Sequence, residues 1–384
     1  MIGESAWLSA LPPFLLAAAV CIVAVPLSMR LAPRVGAVAH PDDERHLHAA
    51  PTPRLGGLAM LLGYVVAVVV FGGQIQSRWP ILAVAGVVTL VMAIDDIVDL
   101  IWWQKLIVVV GAGVAFYLLG ISITSVDLPG GHLIQLGLLA LPVTVLWVAG
   151  MQVSINFMDG ADGVAAGVVA IVALVAMLAA INRIIVPGDL QSGVVILSAA
   201  LMGVCLGFLV FNLPPARTFM GDTGSHFLGV ILAAITIVGI AKVSVGLSIL
   251  VPLIALALPI SDTAWAIVRR GRAGVSPTTP DARHLHHRLQ ARGMTPMETA
   301  LTFYFATGVL GCVGLAIFGH RKILDVGIVL CALGVAAIFW RNHRRLQRLR
   351  REAPVLPGEP DSGVEVAGHH GAALESLRHP RDLD

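Results

Sequence analysis

The chain has 384 residues, of which 57% are apolar and only 12% charged. Its apolar residues gather in runs approaching twenty, which excludes a water-soluble globular fold for the chain as a whole and places it among integral membrane proteins. The formal net charge of +2, from 25 Lys and Arg against 23 Asp and Glu, averages a basic face with scattered acidic sites, so the placement of charges carries more than their sum.

Eleven spans are predicted, at roughly 13–30, 55–72, 80–94, 104–120, 136–153, 164–181, 191–211, 225–241, 246–268, 299–318 and 323–340. A span takes about 20 mostly apolar residues in helix, because backbone polar groups in hydrocarbon must bond within their own segment. The expected fold class is therefore an all-α polytopic membrane protein. The first run has no Lys or Arg before it and no small-residue cleavage pattern after it, and reads as a retained span. All of the 25 basic residues except Arg78, Arg183, Lys242, Arg321 and Lys322 fall on one side of this bundle. Basic residues stay in the cytoplasm, which puts the amino terminus outside and the carboxyl terminus inside.

The loops on the basic side hold the unusual residues. In the first, Pro51-Thr-Pro-Arg-Leu-Gly-Gly57 brings Arg54 to the membrane edge, where it can hold a lipid phosphate or serve as ordinary positive-inside decoration. The third run ends in Asp95, Asp96 and Asp99 framed by Ile and Val; the spacing puts Asp99 on the same helical face as the pair. Three such carboxylates repel unless a cation is shared or a proton retained, which favours metal or acid-base use over a solvated helix end.

Between the fifth and sixth runs, Asn156-Phe-Met-Asp-Gly-Ala-Asp-Gly163 offers oxygens from Asn156, Asp159 and Asp162 in a turn that its glycines permit. No bidentate Glu follows at calcium-loop distance, and an Asx-rich turn without chemistry is the bland alternative. Phe219-Met-Gly-Asp-Thr-Gly-Ser225 leads into the eighth run. There Asp222 can join a magnesium carboxylate to helix N–H groups facing phosphate, while the bland reading is simple capping of the helix by Asp222 or Ser225.

Asp262, toward the end of the ninth run, is expected to pair structurally with Arg269 or Arg270. Arg283-His-Leu-His-His-Arg288 then sets His284, His286 and His287 within four residues. Imidazoles so close suit zinc or phosphate, and the neighbouring arginines, which repel a dication and attract an anion, favour phosphate; a merely basic surface loop is the other reading. Cys21, Cys205, Cys312 and Cys331 lie inside apolar runs without ligand spacing and read as small buried residues. One membrane domain covers 1–340. Residues 341–384 form a tail, basic over 341–351 and then rich in Pro, Gly, Glu and His, which predicts disorder beyond an anchor on the anionic leaflet. No aromatic interleaving suits it to nucleic acid.

Taken in order, Pro-Arg-Leu-Gly-Gly, Asp-Asp-x-x-Asp, Asn-x-x-Asp-Gly-x-Asp-Gly, Phe-Met-Gly-Asp-x-Gly-Ser and His-x-His-His resemble the polyprenyl-phosphate N-acetylhexosamine-1-phosphate transferase family, and within it the WecA/TagO-like branch. The resemblance implies a multi-pass bacterial inner-membrane enzyme with a cytoplasmic active site. Its expected reaction moves N-acetylglucosamine 1-phosphate from its UDP-sugar to undecaprenyl or decaprenyl phosphate and releases UMP, the first lipid-linked step of cell-envelope polysaccharide synthesis. Its cofactor would be Mg2+, with Mn2+ a candidate substitute. The resemblance also makes Asn156 and Asp222 the metal positions and puts Asp95 and Asp96 at the lipid phosphate. It gives Asp159, Asn212 and Phe219 to the nucleotide, and Arg54, His284, His286 and His287 to phosphate, with Asp99, Asp162 and Arg283 beside the site. A homodimer is compatible with it.

The muramoyl-pentapeptide transferases are also similar but usually carry Lys at the place of Asp99, Thr-Met at Arg54-Leu55 and three successive histidines. They form the alternative substrate class. From another class altogether comes an ion-coupled transporter, whose acids belong near the bilayer midplane between broken helices. Acids at helix ends on one face favour the enzyme. A lipid-diphosphate flippase or scaffold would bind the same ligand without chemistry.

Overall fold

A computed structural model describes residues 2–39, 51–128, 132–181, 190–240, 254, 257–272, 285–317 and 321–352. In their described residues the predicted runs fall mainly in helices. The helices are α1 (Ile2–Val35), α2 (Gly56–Phe71), α3 (Arg78–Val98), α4 (Trp102–Leu118), α5 (Ala140–Met158), α6 (Val164–Ile181), α7 (Leu190–Asn212), α8 (Gly221–Ile240), α9 (Ala257–Arg272), the short α10 (Leu285–Ala291), α11 (Pro296–Ile317) and α12 (Arg321–Glu352). Among the described residues, seven helices are long and apolar enough to cross a membrane, while α2 and α4 are apolar but shorter.

The all-α polytopic class holds, with two small additions. An antiparallel pair, β1 (Val38–Ala39) with β2 (Thr52–Pro53), stands before α2, and a hairpin of β3 (Ser125–Leu128) and β4 (His132–Gln135) fills the loop after α4. The basic stretch expected to anchor the last helix continues α12 as far as Glu352. Arg, Leu and Gln are good helix formers, and a helix already nucleated in its apolar part propagates through them at little cost. Residues 353–384 lie outside the described residues.

Lipid tails are as apolar as leucine, so membrane helices associate by close packing across small residues. A Cβ on Gly203 would lie 2.3 Å from the Phe14 carbonyl, one on Gly207 2.8 Å from that of Ala18, and one on Gly63 2.7 Å from that of Ala17. Backbones of α1, α2 and α7 therefore cross almost in contact. Helix α8 runs through the middle of the bundle, almost wholly buried. On α3 the two sides differ: Val87, Leu90 and Ile94 are exposed, while Val88, Met92, Asp95 and Asp96 are buried. Exposed Trp79 opens α3, and exposed Trp102 and Trp103 open α4. That arrangement suits the aromatic belts of the two interfaces, and it puts the acids at the same end of α3 as Trp102.

Candidate functional site

The site is built where the start of α2 meets the start of α8. The N-cap of α2, Leu55, has no side chain able to accept the orphan N–H groups of the first turn. Backbone carbonyls take that part: Gly56 donates to Phe219 at 3.0 Å and Gly57 to Met220 at 3.1 Å. In return the Phe219 N–H reaches Pro53 O at 2.8 Å, and the Thr218 hydroxyl reaches the same oxygen at 3.0 Å. A Cβ on Gly57 would lie 2.2 Å from Gly224 N, so these chains can approach only through glycine. The Pro-Arg-Leu-Gly-Gly and Phe-Met-Gly-Asp segments thus form one structural unit that carries Arg54 and Asp222.

Asp96 fastens that unit to α3. Its Oδ1 accepts from Asp222 N and its Oδ2 from Thr223 N, each at 3.0 Å, and Oδ2 also accepts from the Thr223 hydroxyl. The carboxylate therefore caps α8 from another helix, with the Arg54 guanidinium 3.8 Å away. Its side chain has no exposed surface.

Beside it, Asp95 accepts from Leu100 N at 2.8 Å and meets the Lys105 ammonium at 2.7 Å. Lys105 also reaches Asp222 Oδ2 at 2.9 Å. Asn156 donates through Nδ2 to Asp222 Oδ1 at 2.9 Å and to the Ser225 hydroxyl at 3.0 Å. Asp95, Lys105 and Asn156, from α3, α4 and α5, thereby converge on a partly exposed Asp222 of α8. Asp99 closes α3 in the left-handed conformation, φ 50°, and is exposed, so the helical face expected to carry it alongside Asp95 and Asp96 ends at Val98.

The turn after α5 forms the next wall. Asp159 is partly buried there. Burial first, and then the Asp222, Asp96 and Asp162 carboxylates, hold its carboxyl well above the usual range, against the pull of Arg54. Asp162 Oδ2 accepts from Ala216 N at 2.9 Å. Asn212 is buried and uses both ends of its amide on backbone, accepting from Gly163 N at 3.0 Å and donating to Thr218 O at 2.9 Å. Phe219 sits in the segment so held.

From the far end of the chain, α10 brings His286 against the same turn: a Cβ on Gly160 would lie 2.9 Å from the imidazole. His287 lies against His286 with ring centres 4.1 Å apart and the planes tilted by 42°. Asp262, on α9, accepts from Leu285 N at 3.2 Å at the start of α10, and the Arg270 guanidinium lies 5.5 Å over the Phe157 ring. Arg283 and His284 lie outside the described residues.

Sequence reading counts Lys105 only as one more cytoplasmic basic residue. The available signal for Lys105 is its solitude, a single cation in an otherwise apolar helix. Asp95, Asp222 and Asn156 fit a hard dication. Among the described residues no group of three or more Asp, Glu, His or Cys forms a closed cage, but Mg2+ takes one or two carboxylates and keeps its remaining positions for water and phosphate. An ammonium drawn between the Asp95 and Asp222 carboxylates marks where positive charge is wanted. With Arg54 and the paired histidines close by, the arrangement suits an anionic diphosphate bound through a cation.

Residues 79–240 match the model of glycosyl transferase family 4. The probable undecaprenyl-phosphate N-acetylglucosaminyl 1-phosphate transferase of Bacillus subtilis is 34% identical over 295 residues, 76% of this chain and 80% of that protein. The decaprenyl-phosphate N-acetylglucosaminephosphotransferase of Mycolicibacterium smegmatis is 34% identical over 342 residues, 80% of this chain and 81% of that protein. A phospho-N-acetylmuramoyl-pentapeptide-transferase of Streptococcus pyogenes is 32% identical over 217 residues, 52% of this chain and 62% of that protein.

Proposed function

As the chain belongs to glycosyl transferase family 4, we propose that it transfers N-acetylglucosamine 1-phosphate from UDP-N-acetylglucosamine to a membrane polyprenyl phosphate. An oxygen of the lipid phosphate attacks the sugar-bearing phosphorus of the UDP-sugar; the bond from that phosphorus to UMP breaks, UMP leaves, and polyprenyl-diphosphate-N-acetylglucosamine stays in the membrane. The carrying observation is that relatives named for this transfer align over about three quarters or more of the chain. The convergence of Asp95, Lys105, Asn156 and Asp222 at one end of the bundle supports it. We place that end at the cytoplasmic face of the bacterial inner membrane, because the basic residues of the chain collect there.

Asp222 and Asn156 would hold Mg2+, with Asp95 in reach of it. Bound there, the ion would neutralise the diphosphate and stabilise charge as the bond to UMP breaks. Asp95 is the better placed of the two acids to steer the attacking phosphate or take a proton from it, since Asp96 already has three donors. Arg54, His286 and His287 would balance phosphate charge. Asp159, in its protonated or ionised form, would meet the uracil edge while Phe219 stacks on the ring.

A second reading takes UDP-N-acetylmuramoyl-pentapeptide as donor, on the strength of relatives matched over about half the chain. One experiment separates the readings: purified protein in lipid nanodiscs is given several UDP-sugars, polyprenyl phosphate and Mg2+, and the lipid product is weighed by mass spectrometry. Formation of polyprenyl-diphosphate-N-acetylglucosamine with stoichiometric UMP upholds the first. A peptide-bearing product establishes the second, and nucleotide bound without UMP release removes both.

A further inference from the structure

Helix α11 lies outside the stretch matched by the family model, yet it touches the candidate nucleotide wall at one point. The Tyr304 hydroxyl donates to the Gly163 carbonyl at 2.7 Å across 141 positions of sequence. The Gly163 N–H, in the preceding peptide group, donates to Asn212 Oδ1 at 3.0 Å, so this one residue is held at both its carbonyl and its N–H. Gly163 has φ +74°, a conformation that leaves few alternatives to glycine, and a Cβ there would lie 3.1 Å from the Tyr304 oxygen.

The phenol is itself fixed in place. Its ring lies directly on Gly167, where a Cβ would fall 2.1 and 2.2 Å from two ring carbons. The hydroxyl is thus aimed by packing, one helical turn beyond the residue it holds. Through Asn212 the grip continues to Thr218 O at 2.9 Å, and Asp162 runs a parallel tie to Ala216 N. These bonds fix the spacing between the turn that carries Asp159 and the segment that carries Phe219.

We propose that Tyr304 is a positioning residue for the uridine subsite: by holding Gly163 it sets the distance between Asp159 and Phe219, and so governs affinity for the nucleotide half of the donor. The inference rests on the nucleotide role given above to those two residues. Tyr304 itself touches no reacting atom. Its removal therefore moves the donor terms and leaves the lipid terms where they were.

The test uses the full chain in nanodiscs, with UDP-N-acetylglucosamine binding by calorimetry and steady-state kinetics in both substrates. Tyr304→Phe keeps the ring on Gly167 and deletes only the hydroxyl. Its KM and Kd for the UDP-sugar are expected to rise roughly tenfold, the scale of one lost hydrogen bond at a constrained site, while kcat and the KM for polyprenyl phosphate stay within about twofold. Gly167→Ala keeps the hydroxyl but displaces the ring, should shift the same donor terms, and carries the test alone if Tyr304→Phe does not accumulate. Unchanged donor affinity in the variant, or a proportional loss in kcat and both KM values together, overturns the inference. Wild-type protein that binds no UDP-sugar overturns the underlying functional reading instead, and the inference with it.

Discussion

Lys105 and Asp222, 117 positions apart, are joined by an ion pair of 2.9 Å, and the same ammonium lies 2.7 Å from Asp95. One cation of the chain therefore holds together two carboxylates that would otherwise repel. A divalent ion entering the site must displace Lys105 or share the carboxylates with it.

Lys105→Met, which keeps length and removes charge, is accordingly expected to tighten Mn2+ binding to the substrate-free protein by roughly tenfold, about 1.4 kcal/mol. Lys105→Arg should leave binding near the wild-type value. Titration by electron paramagnetic resonance reads both directly, and equal or weaker binding in Lys105→Met would show that the ammonium is no competitor of the metal.

Asp222→Ala should abolish UMP release, with a loss of at least about 10³-fold, the scale of removing a group that stabilises developing charge. Membrane insertion and helix content should be retained, since Asp222 is partly exposed and its backbone N–H still reaches Asp96. Circular dichroism alongside the activity assay checks both halves; full activity removes the metal assignment.

Asp95 and Asp96 should separate under mutation although they are adjacent. Asp96→Ala leaves the buried N–H and hydroxyl of Thr223 and the part-buried N–H of Asp222 at the start of α8 without their acceptor, and is expected to cost about 1–3 kcal/mol of stability together with activity. Asp95→Ala should depress activity with a smaller change in melting temperature. Equal destabilisation by the two would contradict the capping role of Asp96.

Gly57→Ala places a methyl group 2.2 Å from Gly224 N and must push α2 away from α8. Overpacking of this kind costs about 1–3 kcal/mol, and here it also moves Arg54 and the Asp222 turn. A lower melting temperature and a loss of transfer are expected together; either one alone argues against the docked unit.

Asp159 has its folded-state carboxyl held above the usual range by burial and by neighbouring carboxylates. In metal-free protein the folded state therefore keeps a proton that the unfolded chain releases near pH 4. Its favourable contribution is fully present below that pH and disappears as pH rises through the folded-state value. Thermal melts of Asp159→Asn across this range should lose that fall, so a profile parallel to wild type would count against the assignment.

Much of this was legible in the chain itself, for a physical reason: hydrocarbon demands long apolar helices, so the helical class, and the acids at the helix ends, stand out without any coordinates. The five motifs and their order likewise pointed to one face. What local patterning cannot say is how a polar group is occupied. Asn212, expected at the nucleotide, has both ends of its amide on backbone, and Asp96, expected as a catalytic acid, caps a helix 126 positions away.

Amino-acid sequence by itself determined the class, the placement of acids at helix ends and the residues from which a site can be made, because burial cost and helical periodicity act locally. Tertiary structure alone decided which carboxylate stays partly exposed, that Lys105 stands between two of them, and that Tyr304 grips Gly163. Those contacts join segments 117 and 141 residues apart, and they depend on how closely glycine-bearing helices pack, which no single segment encodes.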